Sequence, residues 1–123
     1  VVSSDEHHRR AAEILAGCLE TGTRFYTTWD VISETVTLLT CRYDSRAGVE
    51  FLDEVKPGLA IVPTTEALLK AAEAVFRREA PRRRLSFCDA ISCVVVATVL
   101  RDIPMLTFDA DFARLGLQTI GAR

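Results

Sequence analysis

The residues in this chain best suited to chemistry are acids placed at the ends of predicted elements. Leu85-Ser86-Phe87-Cys88-Asp89-Ala90 puts a carboxylate at the start of an apolar helix, and Leu106-Thr107-Phe108-Asp109-Ala110-Asp111-Phe112 puts two just beyond a short apolar strand. In a parallel α/β sheet, ligand crevices open beyond the carboxyl ends of the strands, where helices begin. Acids gathered there repel one another, by about 4 kcal/mol per contact at ~4 Å and a surface-like dielectric. A hard divalent cation with oxygen ligands relieves that repulsion and points to phosphodiester chemistry.

Each acid also has a plainer reading. Ser86-x-x-Asp89 is a capping box, and a helix N-terminus favours a carboxylate on electrostatic grounds alone. Asp109 suits the N-cap of a helix over Ala110 to Leu115, and Asp111 its first turn. Glu34 is harder to dismiss. On a helix its neighbours are Val31 and Leu38, with Cys41 a further turn on, so the lone acid either snorkels or faces a pocket.

Around Pro81, Arg77, Arg78, Arg82, Arg83 and Arg84 form a basic cluster. It reads either as a solvated loop or as a rim that grips phosphates without reading bases. Its position just before Asp89 favours the rim. His7 and His8 are adjacent in sequence and point about 100° apart on a helix, so a shared ligand is not expected of them. There is no P-loop, no G-x-G-x-x-G and no G-x-S-x-G elbow.

The elements that must position these groups alternate between strand and helix. Ser3 and Glu6 form a capping box for a helix that ends at Gly22. Arg24 to Thr27 reads as a strand, and Thr28 caps a helix from Trp29 to about Tyr43. A helix over Arg46 to Val55 stops at Pro57-Gly58, and Leu59 to Val62 suits a buried parallel strand. Thr64 or Thr65 opens a helix to about Glu79, with Leu68, Leu69, Ala72, Val75 and Phe76 inward. Ser86 caps a buried helix to about Leu100, and strands follow at Pro104 to Phe108 and Leu117 to Ile120. This alternation predicts a parallel sheet in a single α/β domain over residues 1–123.

With 123 residues, 49% of them hydrophobic, the chain can bury a genuine core. A net charge of −2 gives no global case for nucleic-acid binding, so any such contact must come from local basic clusters. The four cysteines form no C-x-x-C pair, and free thiols in a reducing cytoplasm are expected rather than disulfides or zinc. Neither a signal peptide nor a membrane-spanning run is visible.

Three segments resemble the PIN-domain family, and within it the VapC-type toxins of toxin–antitoxin pairs. Thr27-Thr28-Trp29-Asp30-Val31-Ile32-Ser33-Glu34-Thr35 is similar to the family's second-strand exit and acidic helix. Leu85 to Ala90 is similar to its "LSxxDA" helix start, and Leu106 to Phe112 to its "LTxDxDF" signature. The resemblance implies a three-layer α/β/α fold with a central parallel sheet, and cleavage of RNA at a carboxylate-held Mg²⁺ or Mn²⁺. It carries Glu34, Asp89 and Asp109 over as metal-site and catalytic acids, with Asp111 beside them. Thr107 and Asp111 become auxiliary groups that orient the attacking water, and Arg82, Arg83 and Arg84 the RNA-gripping rim. It further implies a cognate antitoxin and a homodimer.

The chain departs from the family pattern at its start. Family members open with an apolar strand ending in Asp, then a first helix, about 20 residues at average element lengths. Neither that strand nor that acid is present here, and Asp5 belongs to the next helix start. In the family the strand is central, and a sheet without it would have two edges of unpaired backbone groups. The expectation is an N-terminally incomplete domain whose missing strand was trimmed, is supplied by another chain, or was lost. Loss would leave a catalytically inactive remnant that acts only as a protein-binding module. Apart from the resemblance, an unrelated α/β binding module with the acids as helix caps also remains open.

Overall fold

Four side chains start four helices among the described residues. Thr28 Oγ1 accepts from Val31 N at 3.3 Å to open α1, Trp29–Arg42. Asp44 Oδ1 accepts from Ala47 N at 3.0 Å to open α2, Ser45–Glu50. Thr65 Oγ1 accepts from Leu68 N at 3.2 Å to open α3, Glu66–Glu79. Ser86 Oγ accepts from Asp89 N at 3.0 Å to open α4, Phe87–Val94. Each hydroxyl or carboxylate satisfies a backbone N–H that the first helical turn leaves without a partner. Of the two threonines eligible to cap α3, Thr65 does so, which releases Thr64 for another role.

The structure is a computed structural model that describes residues 13, 17, 20–22, 24–101, 104–106 and 119–120. Its strands are β1, Phe25–Thr27; β2, Leu59–Ile61; β3, Met105–Leu106; and β4, Thr119–Ile120. β1 lies parallel to β2 with Phe25 opposite Leu59 and Thr27 opposite Ile61, and Val62 N extends the ladder to Thr27 O at 2.8 Å. β3 lies parallel to β4 with Met105 opposite Thr119. Among the described residues these strands form two separate two-stranded sheets. The fold is α/β and mostly helical, with parallel pairing as the alternation of elements predicts.

Two helices end differently from expectation. α2 passes into a π-helical turn at Phe51–Val55 and a 3₁₀ turn at Lys56–Gly58, and α4 into a π-helical turn at Val95–Val99. Periodicity predicts where such segments are helical. It does not distinguish i→i+4 from i→i+5 bonding, because a single wider turn is too short to change the apolar spacing visibly.

The core lies where α3 meets α4. Leu68 and Ala72 of α3 pack with Ala90, Ile91 and Val94 of α4, joined by Val62, Leu85 and Val95. Ala72 and Ala90 have no exposed surface, and Phe76 meets Phe87 edge-on with ring centroids 5.9 Å apart. On the other side, α1 and α2 approach closely at Gly48, where a Cβ would stand 2.8 Å from Thr40 Oγ1.

At the end of α3, Glu79 is buried between two arginines. Its carboxylate accepts from Arg78 Nε at 2.7 Å and pairs with Arg83 Nη2 at 3.3 Å. The Arg78 hydrogen bond lowers the Glu79 pKa from its ordinary 4.5; burial opposes this, and the charges of Arg83, Arg78 and Arg82 reinforce it. A depressed folded pKa contributes stability that is present above the unfolded value and is lost as pH falls through the folded one. Glu79→Gln is therefore expected to lower the unfolding midpoint at pH 7. It should also flatten the loss of midpoint on acidification below pH 4.5 relative to the unaltered protein. Parallel acid-limb profiles of the two proteins by circular dichroism would contradict the role assigned to this carboxylate.

Candidate functional site

α1 begins at the carboxyl end of β1, and its first two turns carry Asp30 and Glu34. Spaced i and i+4, the two acids occupy one flank of the helix. Asp30 is half-buried and accepts a hydrogen bond from Thr64 Oγ1 at 3.3 Å, so the segment after β2 is tied to the start of α1. Glu34 is exposed, as are Leu38 and Cys41 on the same flank. The apolar flank that made Glu34 conspicuous in sequence thus faces outward. In the same part of the molecule, Lys56 Nζ lies 5.2 Å from the ring centroid of Trp29.

α4 contributes Asp89. Its Oδ2 accepts from Ser86 N at 3.0 Å while Ser86 Oγ accepts from Asp89 N, so the predicted capping box is formed. The box holds the carboxylate in one orientation and occupies only one of its two oxygens.

The Cys88 thiol shows that these acids converge. Burial first, then the charges of Glu34, Asp89 and Asp30, push its pKa up to about 12, and its side chain hydrogen-bonds Glu34. The charges of three carboxylates from two helices therefore bear on one half-buried thiol, which stays protonated at neutral pH. Asp30 and Cys88 were not singled out from sequence. The i, i+4 spacing of Asp30 from Glu34 is the signal that could have found Asp30. Nothing local marks Cys88, whose environment depends on α1 reaching α4.

The donor chemistry suits a hard divalent cation, since the groups able to ligate are carboxylate oxygens and the neighbouring thiol is protonated. Among the described residues no group of three or more His, Cys, Asp or Glu is arranged to hold a metal ion. Thr107, Asp109 and Asp111 lie outside the described residues.

Of the predicted rim, Arg82 and Arg84 are exposed. Arg83 pairs with Glu79, which ties the loop after α3 to its last turn, and its Nε and Nη1 are buried with no hydrogen-bond partner among the described residues. Cys41, Cys88 and Cys93 are free thiols, as expected. No helix among the described residues is long and apolar enough to cross a membrane.

Comparison with known proteins agrees with this architecture. A family model described as the PIN domain matches residues 1–117. Among solved structures, the chain is similar to VapC20 of Mycobacterium tuberculosis, a toxin that cleaves the sarcin-ricin loop. The two share 28% identity and a TM-score of 0.68, over 81% of this chain and 75% of that one. No curated protein matches.

Proposed function

The chain belongs to the PIN domain family, and from that premise we propose that it is a metal-dependent endoribonuclease, the toxin of a type II toxin–antitoxin pair. The observation that carries the reading is the placement of Asp89, the acid at the start of α4, held by Ser86 N with one carboxylate oxygen left to ligate, in a chain matched by the PIN-domain model over residues 1–117. Its likeness to a VapC toxin that cleaves the sarcin-ricin loop supports RNA as the substrate and an antitoxin as the partner. A homodimer and a cytoplasmic location belong to the same proposal.

In this mechanism Glu34, Asp89, Asp109 and Asp111 would hold Mg²⁺ or Mn²⁺, which when bound would supply Lewis-acid activation of water and neutralise charge on the phosphodiester. The chain's own groups supply the positioning. Ser86 N fixes Asp89 through Oδ2, so the other oxygen is presented in a constant direction. The Cys88 side chain restrains Glu34 by a hydrogen bond, and Thr64 ties down the helix start that carries Glu34. Thr107 orients the attacking water, and the exposed Arg82 and Arg84 hold flanking phosphates.

The test is cleavage of an RNA oligonucleotide with Mn²⁺ and with excess EDTA, by the unaltered chain and by Glu34→Gln. Cleavage is expected with Mn²⁺, none with EDTA, and a loss of about a hundredfold or more in the variant, as several kcal/mol of charge stabilisation implies. Undiminished cutting in EDTA or by the variant would refute the mechanism. A chain that never cuts but binds its antitoxin would be the protein-binding remnant instead.

A further inference from the structure

We infer that Trp29 is a base-stacking platform at the rim of this site and that it holds one unpaired nucleotide of the RNA substrate, with Lys56 beside it. The inference rests on the ribonuclease reading and adds to it the residue that engages a base. Trp29 is the first residue of α1, at the carboxyl end of β1 and next to Asp30, whose charge reaches the Cys88 thiol together with those of Glu34 and Asp89. Its indole is 53% exposed, whereas Ile32, one turn along, is 2% exposed. The helix therefore anchors itself through Ile32 and leaves about half of the Trp29 surface facing water. From Trp29 to Glu34 the helix rises about 7.5 Å, which brings the indole within reach of a nucleotide neighbouring the one whose phosphodiester meets the acids.

Electrostatics explains why such a platform is needed. Asp30, Glu34 and Asp89 repel a polyanion, so the substrate must be held by contacts that do not depend on the field at the acids. Stacking is one such contact, because every base has a π-face, and it is open only to bases that are not already paired in a duplex. Lys56 Nζ stands over one face of the Trp29 ring, 5.2 Å from its centroid, so a base either takes the opposite face or displaces the ammonium, which then meets the nucleotide's phosphate. Arg82 and Arg84 are exposed and can hold phosphates elsewhere on the strand.

Trp29 is the only tryptophan in the chain, so its fluorescence reports on this position alone. The test uses Glu34→Gln protein in EDTA, so that the RNA is not consumed. It is titrated with an RNA hairpin bearing an unpaired loop and with a blunt RNA duplex of equal length, binding being followed independently by filter retention. The loop RNA is expected to quench Trp29 and the duplex to leave it unquenched. Adding Trp29→Ala should weaken loop binding about tenfold, Trp29→Phe should keep most of the affinity, and Lys56→Ala should reduce the salt dependence. Loop RNA that binds without quenching, or unaltered binding by the Trp29→Ala protein, overturns the inference while leaving the nuclease reading intact. Quenching and Trp29-dependent binding without cleavage by the unaltered chain would overturn the nuclease reading alone. Failure to bind either RNA overturns both.

Discussion

Asp89→Asn is expected to lower RNA cleavage by about two to three orders of magnitude while the protein stays folded. Asn keeps an oxygen that can accept from Ser86 N, as Asp89 Oδ2 does at 3.0 Å, so the capping box can survive the change. What disappears is the negative charge, and with it the oxygen the box leaves available to a cation. Charge stabilisation at a metal-assisted phosphodiester is worth several kcal/mol, at about 1.4 kcal/mol per factor of ten in rate. Ser86→Ala makes the opposite change. It removes the hydroxyl that accepts from Asp89 N and keeps the acid, so it should cost about 1 kcal/mol of stability and leave cleavage within a few-fold. Measured together, the rates and urea midpoints of the two variants separate the cap from the chemistry. An Asp89→Asn protein that cuts at the unaltered rate would reduce this residue to a helix cap.

The largest effect on stability is expected from Ile91→Ala, at about 2–5 kcal/mol. Ile91 is 1% exposed, in the same helix as Asp89 and within the cluster that joins α4 to α3. Truncation removes its transfer free energy and leaves a cavity between elements that Ala72 and Ala90 already hold in close contact. Against a total of about 5–15 kcal/mol for an ordinary domain, that is a substantial share. Urea unfolding should show a lower midpoint with an unchanged slope. The milder Ile91→Val, expected to cost about 0.5–1.5 kcal/mol, gives the graded comparison. A loss below that of the valine variant would place Ile91 outside the core.

The elements themselves were largely readable from the chain. Thr28 and Ser86 announced their helices because an N-cap is a bond to a residue three positions on. The inward residues of α3 were visible at helical spacing, and Leu68 and Ala72 are buried as expected. The choice between Thr64 and Thr65 was not readable, since either could cap. It is resolved by Asp30, distant in sequence, which takes the Thr64 hydroxyl. Arg83 shows the same limit from the other side. A run of arginines looks uniform in sequence, yet one of them is committed to buried Glu79 and its neighbours remain exposed.

The sequence by itself determined where α1 and α4 begin, that the strands between helices pair in parallel, and that acids stand at the entrances of both helices. All of these follow from bonds and periodicities spanning a few residues. Only the tertiary structure decided that Asp30, Glu34 and Asp89 share one thiol as neighbour, and that the Trp29 indole remains in water beside them. Those outcomes depend on long-range packing, in which Ile32 of α1 and Ile91 of α4 are each buried. Hydrophobic burial is non-directional, so a local pattern shows which face turns inward without saying which distant group it will meet.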